Sequence, residues 1–454
     1  MELQPPPPIG SPPLVVSVDM GYGHLRAAEP LAKALGCGIL LADGPDLADD
    51  QERRLWRRTR HFYEFTTRVS QLPWVGPPLR GLVEAFTSIP HLHPDRDLSG
   101  ATLGAKGLDR LIRRGLGAGL IDRLQKTGAP LLTTFYAPAL AADRAGCKRV
   151  FCVVTDSDIN RVWAPFDPAR SQLRFLVPSE RAGRRLRAYG VPADHVLFTG
   201  FPFPEELLGG PGLQVLRRNL AARIVRLDPG GHFRAAHGDE IASALGPLPA
   251  ELEGQPPLVL FTIGGAGAQA GLAGLFLPSV RRALEAGKLR ISLVAGVRAE
   301  VAARFREAIL AAGLEAAIGH GLEILEATTH ADYFERMKEL LARADVLWTK
   351  PSEMTFYAAL GLPLVCSWPV GVHEGYNRRW AVESGAGLKQ RDPRHAGEWL
   401  SEWLEDGTLA GAAWSGFRRL PKHGLYNILD AVQGRGATGE VQEQPPLRVL
   451  TAAK

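Results

Sequence analysis

The residues able to do chemistry fall into five short stretches, each placed directly after an apolar run. The first is Gly21-Tyr22-Gly23-His24-Leu25-Arg26. Its two glycines let a backbone approach a ligand closely, and His24 falls in the first turn of a predicted helix. A helix N-terminus keeps an imidazole neutral near pH 7, which suits a proton acceptor. The competing reading is a histidine that caps a turn. No third glycine follows, so a dinucleotide fingerprint is a poor match.

Thr262-Ile263-Gly264-Gly265-Ala266-Gly267-Ala268 runs from a strand into small residues ahead of a helix. Backbone N–H groups of Gly264, Gly265, Ala266 and Gly267, aided by the helix dipole, suit a phosphate or diphosphate. Without a following Gly-Lys-Ser/Thr it is no triphosphatase loop, and a tight turn is the plain alternative. Thr349-Lys350-Pro351-Ser352-Glu353-Met354-Thr355 ends a strand at Thr-Lys and breaks it with proline. Ser352 is expected to cap the helix over Thr355–Leu360, and Ser352, Glu353 and Thr355 could meet a ribose or phosphate. An ordinary helix start has the same look.

In Gly371-Val372-His373-Glu374-Gly375-Tyr376-Asn377, the polar set His373, Glu374 and Asn377 can hold sugar hydroxyls. One histidine and one carboxylate are too few for a metal, so no metal site is expected. The fifth stretch, Val153-Val154-Thr155-Asp156, ends an apolar strand in an aspartate that could orient a substrate, tune His24 or cap the next turn.

The elements that must position these residues are strands alternating with helices. Strands are predicted at Leu14–Asp19, Gly38–Leu41, Pro130–Phe135, Arg149–Asp156, Arg174–Val177 and Val196–Thr199. A second series follows Pro256-Pro257, at Leu258–Ile263, Arg290–Ala295, Asp345–Thr349 and Pro363–Ser367. Such alternation means parallel sheets covered on both faces, with ligands outside the carboxyl ends of the strands. The expected class is therefore α/β, with two Rossmann-like domains whose parallel sheets face an inter-domain cleft. The boundaries read as a disordered tail over 1–13, an N-terminal domain over 14–205 and a linker over 206–256 with an arginine-rich helix at Leu213–Arg226. A C-terminal domain follows over 257–433, then a disordered tail over 434–454. Ser179 is placed to cap the helix through Arg181–Tyr189.

Hydrophobic residues make up 45% of the 454 and charged ones 22%, enough to bury a core. No apolar run has the 18 residues of a membrane span, and the proline-rich start does not read as a signal peptide. Cys37, Cys147, Cys152 and Cys366 are scattered, which argues against a disulfide framework or zinc site and for the cytoplasm. The net charge of +5 is spread rather than striped, so no nucleic-acid partner is expected. The basic stretch Arg53–Arg60 lies in a helical pattern whose apolar face is Leu55, Thr59, Phe62, Thr66 and Val69. It reads either as a solvated face or as a peripheral contact with an anionic membrane, at its inner face. The apolar Leu72–Ile89 could line an acceptor entrance.

Taken in order, the motifs resemble the GT-B glycosyltransferases, most nearly the branch of monogalactosyldiacylglycerol synthase and the bacterial diacylglycerol glucosyltransferases. The carrying residues are Gly21-Tyr22-Gly23-His24 with Arg26-Ala27-Ala28, Val154-Thr155-Asp156, Val177-Pro178-Ser179 and Thr199-Gly200-Phe201-Pro202. They continue with Gly264 to Gly267, Thr349-Lys350, Ala359 to Pro363, and Glu374 to Asn377 ahead of Gly385-Ala386-Gly387. The resemblance implies an inverting, metal-independent transfer of sugar from a nucleotide-sugar, a UDP-sugar above all, to a hydroxyl acceptor, small molecule or lipid. No cofactor beyond that donor is implied. His24 would deprotonate the acceptor, with Asp156 as the second catalytic residue and Gly21, Tyr22 and Gly23 on the acceptor side. Gly264 to Gly267 would hold the diphosphate, and Glu374 and Asn377 the sugar.

Two departures stand out. Ala358 occupies the position of the family's ribose-binding glutamate, with Glu353 five residues earlier. The histidine after Val-Thr-Asp is missing, with Arg161 near its place and Trp163 one step out of register. Two other readings therefore stand beside the transferase: a degenerate GT-B protein that binds a nucleotide-sugar or lipid without catalysis, and a nucleotide-sugar 2-epimerase.

Overall fold

Both predicted series of strands form parallel sheets. The structure, a computed structural model, describes residues 11–69, 88–93, 97–263, 269–435 and 448–449, of which 60–69 and 448–449 are described by backbone alone. The stretch 264–268, the first ten residues of the chain and nearly all of Leu72–Ile89 lie outside the described residues.

The chain divides into two compact units, one of Met1–Phe203, Val370–Tyr376 and His423–Lys454, the other of Pro204–Pro369 and Asn377–Lys422. In the first, β1 (Leu14–Ser17), β2 (Ile39–Leu41), β3 (Leu131–Thr133), β4 (Val150–Val153), β5 (Arg174–Val177) and β6 (Val196–Phe198) are all parallel. Their spatial order is β2-β1-β3-β4-β5-β6. In the second, β7 (Leu258–Thr262), β8 (Arg290–Gly296), β9 (Leu322–Glu326), β10 (Val346–Thr349), β11 (Leu364–Cys366) and β12 (Gly387–Lys389) lie in the order β9-β8-β7-β10-β11-β12, again parallel.

Renumbered from one, the second order is 3-2-1-4-5-6, the dinucleotide-fold arrangement, and the first begins 2-1-3-4-5 as in flavodoxin-like sheets. The chain thus has the GT-B class of fold, two Rossmann-like units in succession. In such sheets the crevice for a ligand opens where the strand order reverses, at the carboxyl ends. Those switch points are β1/β3 in the first unit and β7/β10 in the second.

Strand composition explains the burial. The central strands are almost continuously apolar because helices cover both faces; all five residues of β7 are buried. In the second unit Phe261, Phe276, Trp348, Trp399 and Trp403 pack at centroid distances of 4.6 to 5.4 Å. The buried Trp348 indole donates to Gln390 Oε1 at 2.7 Å, as a buried N–H requires.

Four differences from the expectations have physical reasons. Residues 206–256 are not a free connection: helix Gln214–Leu227 buries Leu216, Leu220 and Ile224 within the second unit. The tail from 434 is not wholly irregular, since β13 (Arg448–Val449) pairs antiparallel with Leu197 and Phe198, using the edge that β6 exposes. Ser352 gives no side-chain cap; Glu353–Leu360 is a 3-10 helix, whose start is bonded through the Ser352 carbonyl to Thr355 N and Oγ1. Helix Asp50–Val69 buries Trp56, which lies off the expected apolar face, its indole donating to the buried Glu52 at 3.0 Å, while Leu55 and Thr59 of that face are half-buried.

No helix among the described residues is long and apolar enough to cross a membrane. The four cysteines are free thiols. Burial raises the pKa of Cys366 to about 12 and that of Cys152 further, while Cys37 and Cys147 are half-buried and raised less. The thiolate is the reactive form, so a thiol reagent such as Ellman's is expected to titrate two thiols in the native protein. All four should react in denaturant, and four fast native thiols would contradict this burial.

Candidate functional site

The first switch point gathers its groups from three strands. β1 ends at Ser17, and the chain turns through Gly21, whose φ of +115° is a conformation that favours glycine. A Cβ added there would meet nothing within 4 Å among the described residues. Helix Tyr22–Ala34 then carries His24 in its first turn, with Leu25, Ala28 and Leu31 buried behind it.

His24 Nδ1 lies 2.7 Å from the backbone carbonyl of Thr134, just beyond β3, and 3.4 Å from the hydroxyl of Thr155, just beyond β4. A carbonyl can only accept, so Nδ1 carries the proton and the neutral ring has its lone pair on Nε2. The Thr134 hydroxyl in turn donates to the His24 carbonyl at 2.9 Å and lies 3.1 Å from Ser17 Oγ. Phe135 meets the imidazole edge-on at 4.8 Å, and Trp163 lies at 6.4 Å. The result is an imidazole with fixed tautomer and orientation at the carboxyl edge of the sheet.

Asp156 is half-buried, one residue past Thr155. Arg161 is occupied structurally: its guanidinium donates to Ser99 O at 2.7 and 3.1 Å and to Ala164 O at 2.9 Å. Trp163, out of register in the sequence, is the residue that approaches His24.

The residue that sequence reasoning missed is Asp158. It is fully buried and holds two guanidiniums: Arg185 through Nε at 2.7 Å and Nη2 at 2.9 Å, and Arg181 through Nε at 2.6 Å. Arg185 also donates to Pro90 O at 2.6 Å. The Arg181 guanidinium lies 5.1 Å over the Tyr376 ring, whose hydroxyl donates to Ile89 O at 3.2 Å. Asp158 thereby anchors the segment Val370–Tyr376, which belongs to the same compact unit as His24. The helix that supplies both arginines starts as expected, with Ser179 Oγ accepting from Ala182 N at 3.1 Å.

That segment carries His373 and Glu374. Glu374 is buried, and its Oε2 accepts from Val370 N at 2.5 Å and Gly371 N at 3.2 Å. It therefore satisfies orphan amides at the start of helix Val372–Glu383, as the acidic half of a capping box does. His373 Nε2 stands 4.0 Å from its other oxygen. Asn377 falls in the second unit, where it is buried and donates to Pro351 O at 3.3 Å.

The second switch point is framed by Thr262 and Thr349, whose hydroxyls bond at 2.7 Å across the β7/β10 crevice. Gly264 to Gly267, expected to hold a diphosphate, lie outside the described residues. Of the other expected nucleotide contacts, Thr355 is fully buried with its hydroxyl given to Ser352 O at 2.7 Å, and Glu353 is buried beside it. Gln269 donates to Trp368 O at 2.7 Å, and Trp368 itself is exposed under the Arg378 guanidinium at 5.4 Å. Among the described residues no group of three or more His, Cys, Asp or Glu could hold a metal ion.

The far end of the 3-10 helix Glu353–Leu360 is held by Arg223, fully buried on helix Gln214–Leu227. It donates to Ala344 O and Leu360 O at 2.9 Å and to Gly361 O at 3.1 Å. Burial lowers its pKa to about 10. Its neighbour Arg226 is paired with Asp345, at 2.7 Å for the closest contact. Replacing Arg223 by methionine leaves three carbonyls buried without donors, so the second unit is expected to lose about 2–4 kcal/mol in urea unfolding. A loss under about 0.5 kcal/mol would contradict that clamp.

A family model described as a domain of unknown function (DUF6938) matches residues 250–431. No curated protein sequence matches the chain. Solved structures similar to it include a UDP-GlcNAc 2-epimerase from Neisseria meningitidis bound to UDP-GlcNAc, at 12% identity and TM-score 0.44 over 88% of this chain and 97% of that one. The glycosyltransferase SnogD from Streptomyces nogalater is 14% identical, with TM-score 0.44 over 93% of this chain and 99% of that one. A UDP-glucosyltransferase from Polygonum tinctorium capable of glucosylating indoxyl is 14% identical, with TM-score 0.43 over 94% and 99%.

Proposed function

We propose that the chain is an inverting, metal-independent glycosyltransferase that moves a sugar from a nucleotide-sugar, a UDP-sugar in the first instance, to a hydroxyl acceptor. The observation that carries this reading is the fixed imidazole at the first switch point. With Nδ1–H held by the Thr134 carbonyl, Nε2 of His24 is the nitrogen assigned to accept the proton of an acceptor hydroxyl. As the hydroxyl oxygen attacks the anomeric carbon, its proton passes to Nε2 and the bond to the diphosphate breaks. The departing nucleoside diphosphate takes the negative charge.

The β7/β10 crevice is the place assigned to the nucleotide, with the amides of Gly264 to Gly267 offered to the diphosphate. Ser352, Glu353 and Thr355 stand beside it, and the burial of Glu353 and Thr355 makes their part that of shaping the turn. His373, Glu374 and Asn377 are assigned to the sugar; Glu374, engaged by two amides, acts chiefly by shaping its turn. Asp156 stands as a second catalytic group beside Thr155. Arg54, Arg57 and Arg58 are exposed on helix Asp50–Val69, which supports a peripheral contact with anionic lipid and a lipid acceptor.

The test is release of nucleoside diphosphate from UDP-glucose, UDP-galactose, UDP-GlcNAc and GDP-mannose, with and without added diacylglycerol. Release that depends on one base, and is raised by an acceptor, supports transfer. Interconversion of the sugar without release would support an epimerase instead.

A further inference from the structure

We infer that the second unit recognises the sugar of the donor at the end of β11, through Gln390, Gln269 and Trp368. The inference rests on the nucleotide-sugar reading and names the side chains that read the sugar. Gln390 follows β12 and is only 6% exposed. Its Oε1 accepts from the Trp348 indole at 2.7 Å and from the Ser367 hydroxyl at 3.1 Å. An indole N–H can only donate, so the amide oxygen must face Trp348 and the nitrogen must point away. Nε2 then carries two N–H groups that are buried without a partner among the described residues.

Gln269 has the complementary defect. Its Nε2 donates to the Trp368 carbonyl at 2.7 Å, which fixes the amide's orientation in the same way, and its buried Oε1 has no partner among the described residues. Ser367 and Trp368 are neighbours just past β11, so both amides are moored to one strand end, on the ligand edge of the sheet. Buried polar groups are nearly always paired, so this donor and this acceptor call for an occupant. A hydroxyl both accepts and donates, whereas a phosphate dianion or a carboxylate only accepts. The two orphans together therefore select hydroxyls.

Trp368 supplies the other half of a sugar's surface. It is 65% exposed, the most of any large hydrophobic side chain among the described residues, and the Arg378 guanidinium lies over its ring at 5.4 Å. A pyranose carries hydroxyls at its edge and C–H groups on its faces, and those faces pack on an aromatic ring by dispersion. β11 is the next strand after β10, roughly 5 Å along the sheet. A sugar on a diphosphate in the β7/β10 crevice therefore reaches it. Glu374, by contrast, gives its Oε2 to two backbone amides.

Calorimetric titration of the full chain with UDP, UDP-glucose, UDP-galactose and UDP-GlcNAc tests the assignment. Trp368→Ala changes an exposed ring and should keep the fold by circular dichroism. Gln390→Glu keeps an oxygen for Trp348 and Ser367 while removing the two N–H groups; if it fails to fold, Gln269→Leu tests the same pair from its half-buried side. Each variant is expected to weaken the preferred sugar nucleotide roughly tenfold, about 1.4 kcal/mol, and to leave UDP bound as in the wild type. Affinities for UDP and the sugar nucleotide that fall together, or a sugar nucleotide bound equally by wild type and variants, would overturn this site alone, the amides then holding water. No binding of UDP at all contradicts the nucleotide-sugar reading and this inference with it.

Discussion

Replacing His24 by alanine is expected to slow sugar transfer by roughly 10²–10⁴-fold, the usual contribution of a positioned general base. The geometry makes the loss specific to the chemical step. Nδ1 is engaged by the Thr134 carbonyl at 2.7 Å, so the remaining nitrogen is the only ring position with a lone pair. A base must be unprotonated to act, so the wild-type rate falls as the pH is lowered, and that acidic limb should vanish in the variant. Nucleotide binding, assigned to the second unit, should be kept. Thr134→Val removes only the hydroxyl that braces His24 O and faces Ser17, so its effect should be nearer tenfold. A His24→Ala protein with wild-type turnover, or one that loses nucleotide binding in parallel, would contradict the role.

The second large effect is on stability. Asp158→Asn keeps the shape of the side chain but leaves Arg185, fully buried, facing a neutral amide. Removing one member of a buried ion pair costs about 3–5 kcal/mol because the remaining charge is uncompensated. Arg181 is partly exposed and regains water, so most of the cost comes from Arg185. The first unit should therefore unfold at markedly lower urea, followed through near-ultraviolet dichroism and hydrogen exchange of its strands. The double variant Asp158→Asn with Arg185→Gln removes the stranded charge and should recover part of the loss. Asp156→Asn, on a half-buried carboxylate two residues earlier, should cost far less. Equal losses at 156 and 158 would contradict the assignment of the anchor.

These two residues show where the sequence was legible. The strand-then-turn pattern around Val18–His24 sufficed to place His24 in a first helical turn, because apolar β-strands and glycine turns are local signals. Asp156 and Asp158 look alike as aspartates after an apolar strand. What separates them is the pair Arg181 and Arg185, spaced i, i+4 on the next helix so that both reach one carboxylate. That spacing was visible, but the register bringing the helix against residue 158 is tertiary. β9 was missed because Leu322–Glu326 places glutamates in an edge strand, and β12 because Gly387–Lys389 is too short to show alternation. Glu374 read as a sugar ligand from its company of polar residues; its two amide partners come from a turn whose geometry only the fold supplies. Ser352 had the right type for a cap, but Pro351 before it and the 3-10 geometry after it send the bonds through its carbonyl.

The most direct measurement is the thermal stability of the full chain with and without millimolar UDP, UDP-glucose, UDP-GlcNAc, GDP and TDP. A ligand at 100 times its dissociation constant adds roughly 2.7 kcal/mol of stability, which is a rise of a few degrees. The account predicts that rise for one base and its sugars, preserved in His24→Ala. No shift with any nucleotide would contradict a nucleotide-sugar site on this chain, and with it the proposed transfer.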